Sequence, residues 1–288
     1  MKTSVSSYSF SSYMQNSGAN QLDIMVLAKE MGFDAIEMTD LAAPDGMTQE
    51  EFAYVLREES VRLSLPIVNY TIGADLLNAP DIPAEIDRLC GQVRIAHILG
   101  AKGMRHDAAG GWRNVFRRYK TFDSALPTLA DGCRAVTTYA AEFGVATMVE
   151  NHGQFCQEST RVEKLVSAVD HSNFGLLVDV GNFLCADEQP VAAVARVAPF
   201  ARHVHVKDFH IKSGSEPSPG RGFFGTRAGN YLRGAILGHG NVPVYQCLRI
   251  LHEQGYDGYV SIEFEGIEEN LPALEIALEN LQTYISMV

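Results

Sequence analysis

The chain has 288 residues, 46% of them hydrophobic, with a formal net charge of −12 and a pI near 5.2. That acidic balance argues against nucleic acid as a partner, because binding a phosphate backbone calls for a basic stripe that releases counterions. No run of about 18 apolar residues spans a bilayer, the start Met1-Lys2-Thr3-Ser4-Val5-Ser6-Ser7-Tyr8 lacks an apolar leader, and five scattered cysteines without a C-x-x-C pair fit a reducing compartment, so a cytoplasmic protein with no membrane partner is expected.

In chain order, strands are predicted near 3–9, 35–39, 66–71, 102–107, 146–151, 175–180, 202–207 and 259–264. Helices are predicted near 21–31, 48–61, 124–143, 160–168, 190–199, 244–254 and 270–286, with one more carried by the face Ile86, Leu89, Val93, Ala96. Gly32, Gly100, Gly144 and Gly255 each stand between a helical stretch and a β-rich run, where glycine supplies the left-handed cap and the chain turns into a strand. A soft prior of roughly 150 residues per domain points to two domains, but this alternation points to one (β/α)8 barrel, an α/β fold that takes about 250 residues as a single unit. The expected domain covers 1–288, with a long active-site loop after the seventh strand at about 209–242, rich in Gly, Pro and Ser. The first strand is polar for a buried parallel strand, and Arg113, Arg117 and Arg118 read as a solvated face.

Three apolar runs close on an acid: Met148-Val149-Glu150, Leu176-Leu177-Val178-Asp179 and Val260-Ser261-Ile262-Glu263. His203-Val204-His205-Val206-Lys207 carries histidine in the same setting. An uncompensated carboxylate in a core costs several kcal/mol, so these residues at equivalent strand ends point to a shared divalent cation. In a (β/α)8 barrel those ends also form the reactive face. The oxygen-rich set Glu150, Asp179, His205 and Glu263 suits Mn²⁺ best, with Mg²⁺, Co²⁺ or Zn²⁺ as alternatives. His205, nearer the strand end, is the better ligand, and His203 is expected deeper in the barrel as a supporting or core histidine. His152 is a candidate general base, its unperturbed pKa of ~6.5 being suited to neutral pH, against the reading of a loop histidine bonded to its surroundings. Glu37, Asn69, Arg105, His106 and Asp107 are candidate partners for substrate hydroxyls. Lys207 is a candidate to polarise a carbonyl or hold a carboxylate, and Trp112 and Phe155 are candidates for an apolar wall.

On Val149-Glu150-Asn151, Val178-Asp179-Val180-Gly181-Asn182, His203-Val204-His205-Val206-Lys207-Asp208 and Gly255-Tyr256-Asp257-Gly258-Tyr259-Val260-Ser261-Ile262-Glu263, the chain resembles the xylose-isomerase-like TIM-barrel sugar isomerases and epimerases, relatives of D-tagatose 3-epimerase and inosose dehydratase. Gly238-His239-Gly240 resembles a variant of that family's glycine-flanked acid. The resemblance implies that Glu150, Asp179, His205 and Glu263 bind one metal, and that Glu150 and Glu263 act as acid and base on opposite faces of a sugar or polyol substrate. Asn182 stands where the ketose epimerases carry a histidine, and Ile211 where they carry a sugar-contacting arginine; Asn182 joins the substrate-contact candidates.

The leading expectation is therefore a metal-dependent isomerase or epimerase that acts on a carbohydrate or polyol-derived ketone through an enediolate. The alternative is a lyase or dehydratase on a keto-polyol or 3-keto-glycoside with His152 as base. A DNA-repair endonuclease on a similar barrel is disfavoured by the acidic charge and the shortage of histidine ligands, and a non-catalytic sugar-binding barrel by the intact acid–base candidates. A homo-oligomer stays open.

Overall fold

The computed structural model describes residues 1–111, 119 and 121–288. Eight parallel strands close a barrel in the order β1-β11-β7-β6-β5-β4-β3-β2. They are β1 (Lys2–Ser6), β2 (Ala35–Thr39), β3 (Ile67–Ile72), β4 (Gly103–His106), β5 (Ala146–Glu150), β6 (Phe174–Asp179), β7 (Ala201–Val206) and β11 (Tyr259–Ile262). Outside them lie α2 (Gln21–Met31), α3 (Gln49–Leu63), α4 (Ile82–Leu99), α5 (Phe122–Glu142), α6 (Ser159–Val169), α7 (Pro190–Val197), α8 (Val244–Glu253) and α9 (Asn270–Ser286). This is the (β/α)8 architecture the alternation predicts. Gly32 and Gly100 cap α2 and α4 with φ of 96° and 77°, a left-handed turn that costs other residues energy.

The apolar core lies between barrel and helices, where Val5, Ile36, Val149, Val178, Val204, Val260 and Ile262 are buried together with residues such as Ile24, Leu56, Val162, Leu248 and Leu274. The barrel interior is unusually polar. Ser4 is the register-mate of Ser261, Ser6 of Glu37, and Glu37 of Asn69, and all of them are buried. This explains why β1 reads as polar: its serines share a layer with other polar side chains, while Val5 packs outward.

Three elements differ from the sequence expectation. The first strand stops at Ser6, and residues 7–10 form a 3-10 turn that leads into a further helix, α1 (Ser11–Ser17). No residue of α1 is buried, so it carried no apolar periodicity to betray it. The segment expected as an irregular loop contains a three-stranded antiparallel sheet of β8 (Asp208–Lys212), β9 (Phe224–Gly225) and β10 (Tyr231–Ala235). In it Leu232 pairs with Ile211 and Gly234 with Phe209, and Phe209 and Leu232 are buried beneath. Asp208 anchors the return of this arm: its carboxylate accepts the backbone N–H groups of Phe209, Gly238, Gly240 and Val242 at 2.8–3.0 Å. Gly240 is needed there, since a Cβ would lie 2.2 Å from Asp208 Oδ1. Among the described residues no helix is long and apolar enough to cross a membrane.

Candidate metal centre

Glu150 closes β5, Asp179 closes β6, His205 is the last residue but one of β7, and Glu263 follows β11 directly. Asp179 and His205 are register-mates on adjacent strands, which sets them at one level. One ligand atom from each of these four residues lies within 4.8 Å of the others. His205 Nδ1 stands 3.6 Å from Glu263 Oε1, 3.9 Å from Asp179 Oδ2 and 4.0 Å from Glu150 Oε1. Both His205 Nδ1 and Asp179 Oδ2 are buried without a hydrogen-bond partner. Buried polar atoms without hydrogen bonds are costly in a core; Lys207 Nζ, 3.4 Å from Asp179 Oδ2, offsets its charge without a hydrogen bond, and a cation held by three oxygens and one nitrogen would satisfy both atoms. The donor set therefore fits a hard or borderline divalent ion.

Neighbouring side chains fix the acids. Asn182 Nδ2 donates to Glu150 Oε1 at 2.8 Å, and Arg105 Nη2 reaches Glu150 Oε2 at 2.6 Å. Asp179 Oδ1 accepts the N–H groups of Gly181 and Asn182, each at 2.8 Å. Asn151 ties β5 to β6 by bonding both backbone groups of Asp179 at 2.9 Å. Lys207 Nζ pairs with Glu263, with Glu265 at 3.2 Å and with Asp179 at 3.4 Å.

The charges are strongly coupled. Burial pushes the Asp179 carboxyl up to about 7, with Glu150 and Glu263 adding to the rise and Lys207 and His205 opposing it. Burial also works to raise Glu263, but Lys207 and His205 outweigh it and hold that carboxyl below the usual range. Desolvation disfavours the charged forms of His205 and Lys207, yet the surrounding acids carry both well above their ordinary values. The acids thus gather positive charge, as a cation site must.

Beside this cluster opens a cavity of about 310 Å³, lined among others by Tyr8, Asp40, Arg105, Asp107, Glu150 and His152, and also by Glu263. His152 Nδ1 bonds Asp107 Oδ1 at 2.9 Å, and the same oxygen takes Arg105 Nη2 at 2.9 Å. The His152 side chain is 47% exposed, and its Nε2 has no partner among the described residues. Packing around the ring opposes the charge, but Asp107 outweighs it and raises the His152 pKa. Sequence reasoning treated Asp107 only as a hydroxyl partner. The available signal was that Asp107 and His152 lie just beyond the ends of β4 and β5, which are adjacent.

Other candidates occupy different places. Of the residues expected to touch substrate, Arg105 and Asp107 line the cavity, Asn182 and Lys207 are engaged with the ligand acids, and Asn69 donates to Glu37. Glu37 and His106 are fully buried off the cavity wall, Glu37 bonded to His205 and His106 to the Asp107 carbonyl. His203 sits deeper, as expected, with Nε2 at 2.8 Å from Ser261 Oγ and 3.1 Å from Glu37 Oε2. Phe155 is buried against Phe122, Ile211 lies on β8 away from the cavity, and His239 is exposed. Trp112, Arg113, Arg117 and Arg118 lie outside the described residues.

Comparison with known proteins follows the same lines. A family model described as a xylose isomerase-like TIM barrel matches residues 25–285. An inosose dehydratase from Clostridium botulinum (strain Alaska E43 / Type E3) is 29% identical over 157 residues, 54% of this chain and 52% of that protein. The chain thus spans about half the length of the curated relatives it matches. Among solved structures, the IOLI protein with a binding zinc atom superposes with a TM-score of 0.78 at 16% identity, covering 100% of this chain and 99% of the other. An L-ribulose 3-epimerase superposes with a TM-score of 0.74 at 16% identity, covering 99% and 95%. At such identities the likeness is one of fold.

Proposed function

The chain belongs to the xylose isomerase-like TIM-barrel family, and from that premise we propose that it removes a proton beside the carbonyl of a small keto-polyol and then expels water, with Glu150, Asp179, His205 and Glu263 holding one divalent ion. The observation that carries this reading is the His152–Asp107 pair on the cavity wall, next to the ligand cluster. Both oxygens of Glu150 are engaged, by Asn182 and Arg105, and one oxygen of Glu263 is held by Lys207. His152 is thus the group best placed to take a proton: Nδ1 is anchored, and Nε2 has no partner among the described residues.

Mn²⁺ is the ion proposed for the site, with Zn²⁺, Mg²⁺ and Co²⁺ as comparators. When bound, it supplies polarisation of the carbonyl and stabilises the negative charge that develops as the neighbouring carbon loses its proton. Asp107 orients the His152 ring and stabilises the imidazolium that forms. The C–H electron pair forms the enolate double bond as the carbonyl pair moves onto oxygen; the carbonyl then re-forms, the double-bond pair shifts between the α and β carbons, and the β-hydroxyl leaves with its C–O pair as water, taking the proton that His152 returns. Arg105, whose guanidinium spans Asp107 and Glu150, aligns base and ligand to each other. The inosose dehydratase relatives favour this outcome.

A second reading, epimerisation, draws on Glu150 and Glu263 entering the centre from strands separated by β6 and β7, and on the fold shared with an L-ribulose 3-epimerase. One acid would remove the proton and the other would return one to the opposite face. NMR of the Mn²⁺-treated chain in D₂O, with inososes, ketoses and 3-keto-glycosides, separates the two. Loss of water or of an aglycone with His152-dependent exchange supports elimination, deuterium at an inverted carbon supports epimerisation, and no exchange with any substrate removes both.

A further inference from the structure

We propose that Glu37 is the positioning residue of the metal centre: its carboxylate keeps a proton on His205 Nε2, which turns the Nδ1 lone pair toward Glu150, Asp179 and Glu263. This role presupposes the four-residue metal site proposed above.

Glu37 lies on β2 with no solvent exposure, between its register-mates Ser6 and Asn69. A carboxylate so placed must be paired. His205 Nε2 lies 2.8 Å from its Oε1 and 3.0 Å from its Oε2. An ionised carboxylate only accepts hydrogen bonds, so the imidazole must donate from Nε2. The tautomer is thereby chosen, and the nitrogen left to act as a ligand is the one facing three acids at 3.6–4.0 Å. Glu37 is in turn immobilised from β3 and again from β7. Asn69 Nδ2 donates to Oε2 at 3.0 Å, and His203 Nε2 lies 3.1 Å from the same oxygen.

Glu37, His203 and His205 also offer three ligand atoms within 4.8 Å of one another, which raises the question of a second cation. The hydrogen bonds decide against it. Asn69 occupies Glu37 Oε2, Ser261 Oγ stands 2.8 Å from His203 Nε2, and Glu37 itself satisfies His205 Nε2. Among the ligand atoms of the two groups, the ones without a hydrogen-bond partner are His205 Nδ1 and Asp179 Oδ2, on the other side of the imidazole. A carboxylate behind a ligating histidine typically contributes about 10–100-fold to metal affinity.

The test is calorimetric titration of the metal-free full chain with Mn²⁺ and Zn²⁺, together with ¹⁵N NMR of the Zn²⁺-loaded His205 side chain. The wild-type chain is expected to bind one equivalent and to show a hydrogen-bonded Nε2–H resonance. Glu37→Gln should weaken binding about 10–100-fold at unchanged stoichiometry and lose that resonance. Glu37→Asp, which restores an accepting carboxylate on a shorter stem, should recover part of the affinity, and it carries the test if the glutamine variant does not fold. Ser261→Ala removes the hydroxyl beside His203 without touching Glu37, so it should lower the melting temperature and leave affinity unchanged. Wild-type affinity in a folded Glu37→Gln chain overturns the role of Glu37 alone. A wild-type chain that binds no divalent ion overturns the metal centre with it. Two equivalents in the wild type, one of them lost in Glu37→Gln, would make Glu37 a ligand and also overturn the proposal.

Discussion

Lys207→Met tests whether the buried ammonium and a divalent ion balance the same carboxylates. Lys207 Nζ is paired with Glu263, Glu265 and Asp179, and its side chain is only 3% exposed. Methionine nearly matches its length, so the change removes the charge and keeps the volume. Removing one partner of a buried ion pair costs about 3–5 kcal/mol, because the charge left behind is uncompensated. For a chain of this size that predicts a fall of roughly 6–20 °C in melting temperature, taking about 2–4 °C per kcal/mol. A saturating ion opposes the loss, since a ligand present at a thousand times its dissociation constant stabilises by about 4.1 kcal/mol. The variant lacks the ammonium that competes for Asp179 and Glu263, so it should gain more from the ion than the wild type does. The assay is denaturant and thermal unfolding of both proteins in chelator and in excess Mn²⁺. The stability gap should be several kcal/mol in chelator and shrink by more than half with metal. A gap of the same size under both conditions would refute the shared-balance argument, and a gap below about 1 kcal/mol in chelator would refute the burial argument.

The other predictions concern the base and the placement of the acids. His152→Ala should lower kcat by about 10²–10⁴-fold on an identified substrate while metal affinity stays as in the wild type; a parallel loss of metal would return His152 to a structural role. The base must be neutral to accept a proton, so kcat/KM should rise with pH through the His152 pKa. Asp107 raises that pKa, so Asp107→Asn should move the inflection to lower pH and reduce the plateau, and an inflection that stays put would separate the pH dependence from this pair. Asn182→Ala frees Glu150 Oε1 from its amide donor and should weaken Mn²⁺ binding about 10-fold in a titration, in the range for residues that orient metal ligands.

The barrel was legible because two independent patterns agree at four of the βα units, at Gly32, Gly100, Gly144 and Gly255: a glycine after an amphipathic helix, then a short apolar run. The quartet Glu150, Asp179, His205 and Glu263 could be read for a related reason, since an acid at the end of a buried strand breaks the apolar pattern where the fold turns toward solvent. The segment 209–242 was hidden because its Gly, Pro and Ser residues are turn signals, while β9 is only two residues long and its register with β10 depends on the fold of the whole arm. Helix α1 was hidden because it buries nothing.

Depth was harder to read than identity. Strand periodicity says which face a side chain occupies and leaves open how far it lies from the barrel mouth, so Glu37, on β2, was expected at the substrate surface. Its true neighbours come from register: Asn69 beside it on β3, and His203 and His205 across the barrel. Lys207 was open to polarising a carbonyl or holding a carboxylate, and register surrounds its ammonium with the carboxylates of Asp179, Glu263 and Glu265. These two residues explain how a barrel interior this polar can be stable. A carboxylate below the histidine and an ammonium beside the acids hold the charges in place, and two of the buried atoms without a hydrogen-bond partner, His205 Nδ1 and Asp179 Oδ2, fall where a cation would complete the set. The apolar burial that pays for this arrangement lies outside the strands, in the helix layer, which leaves the polar column free to serve chemistry.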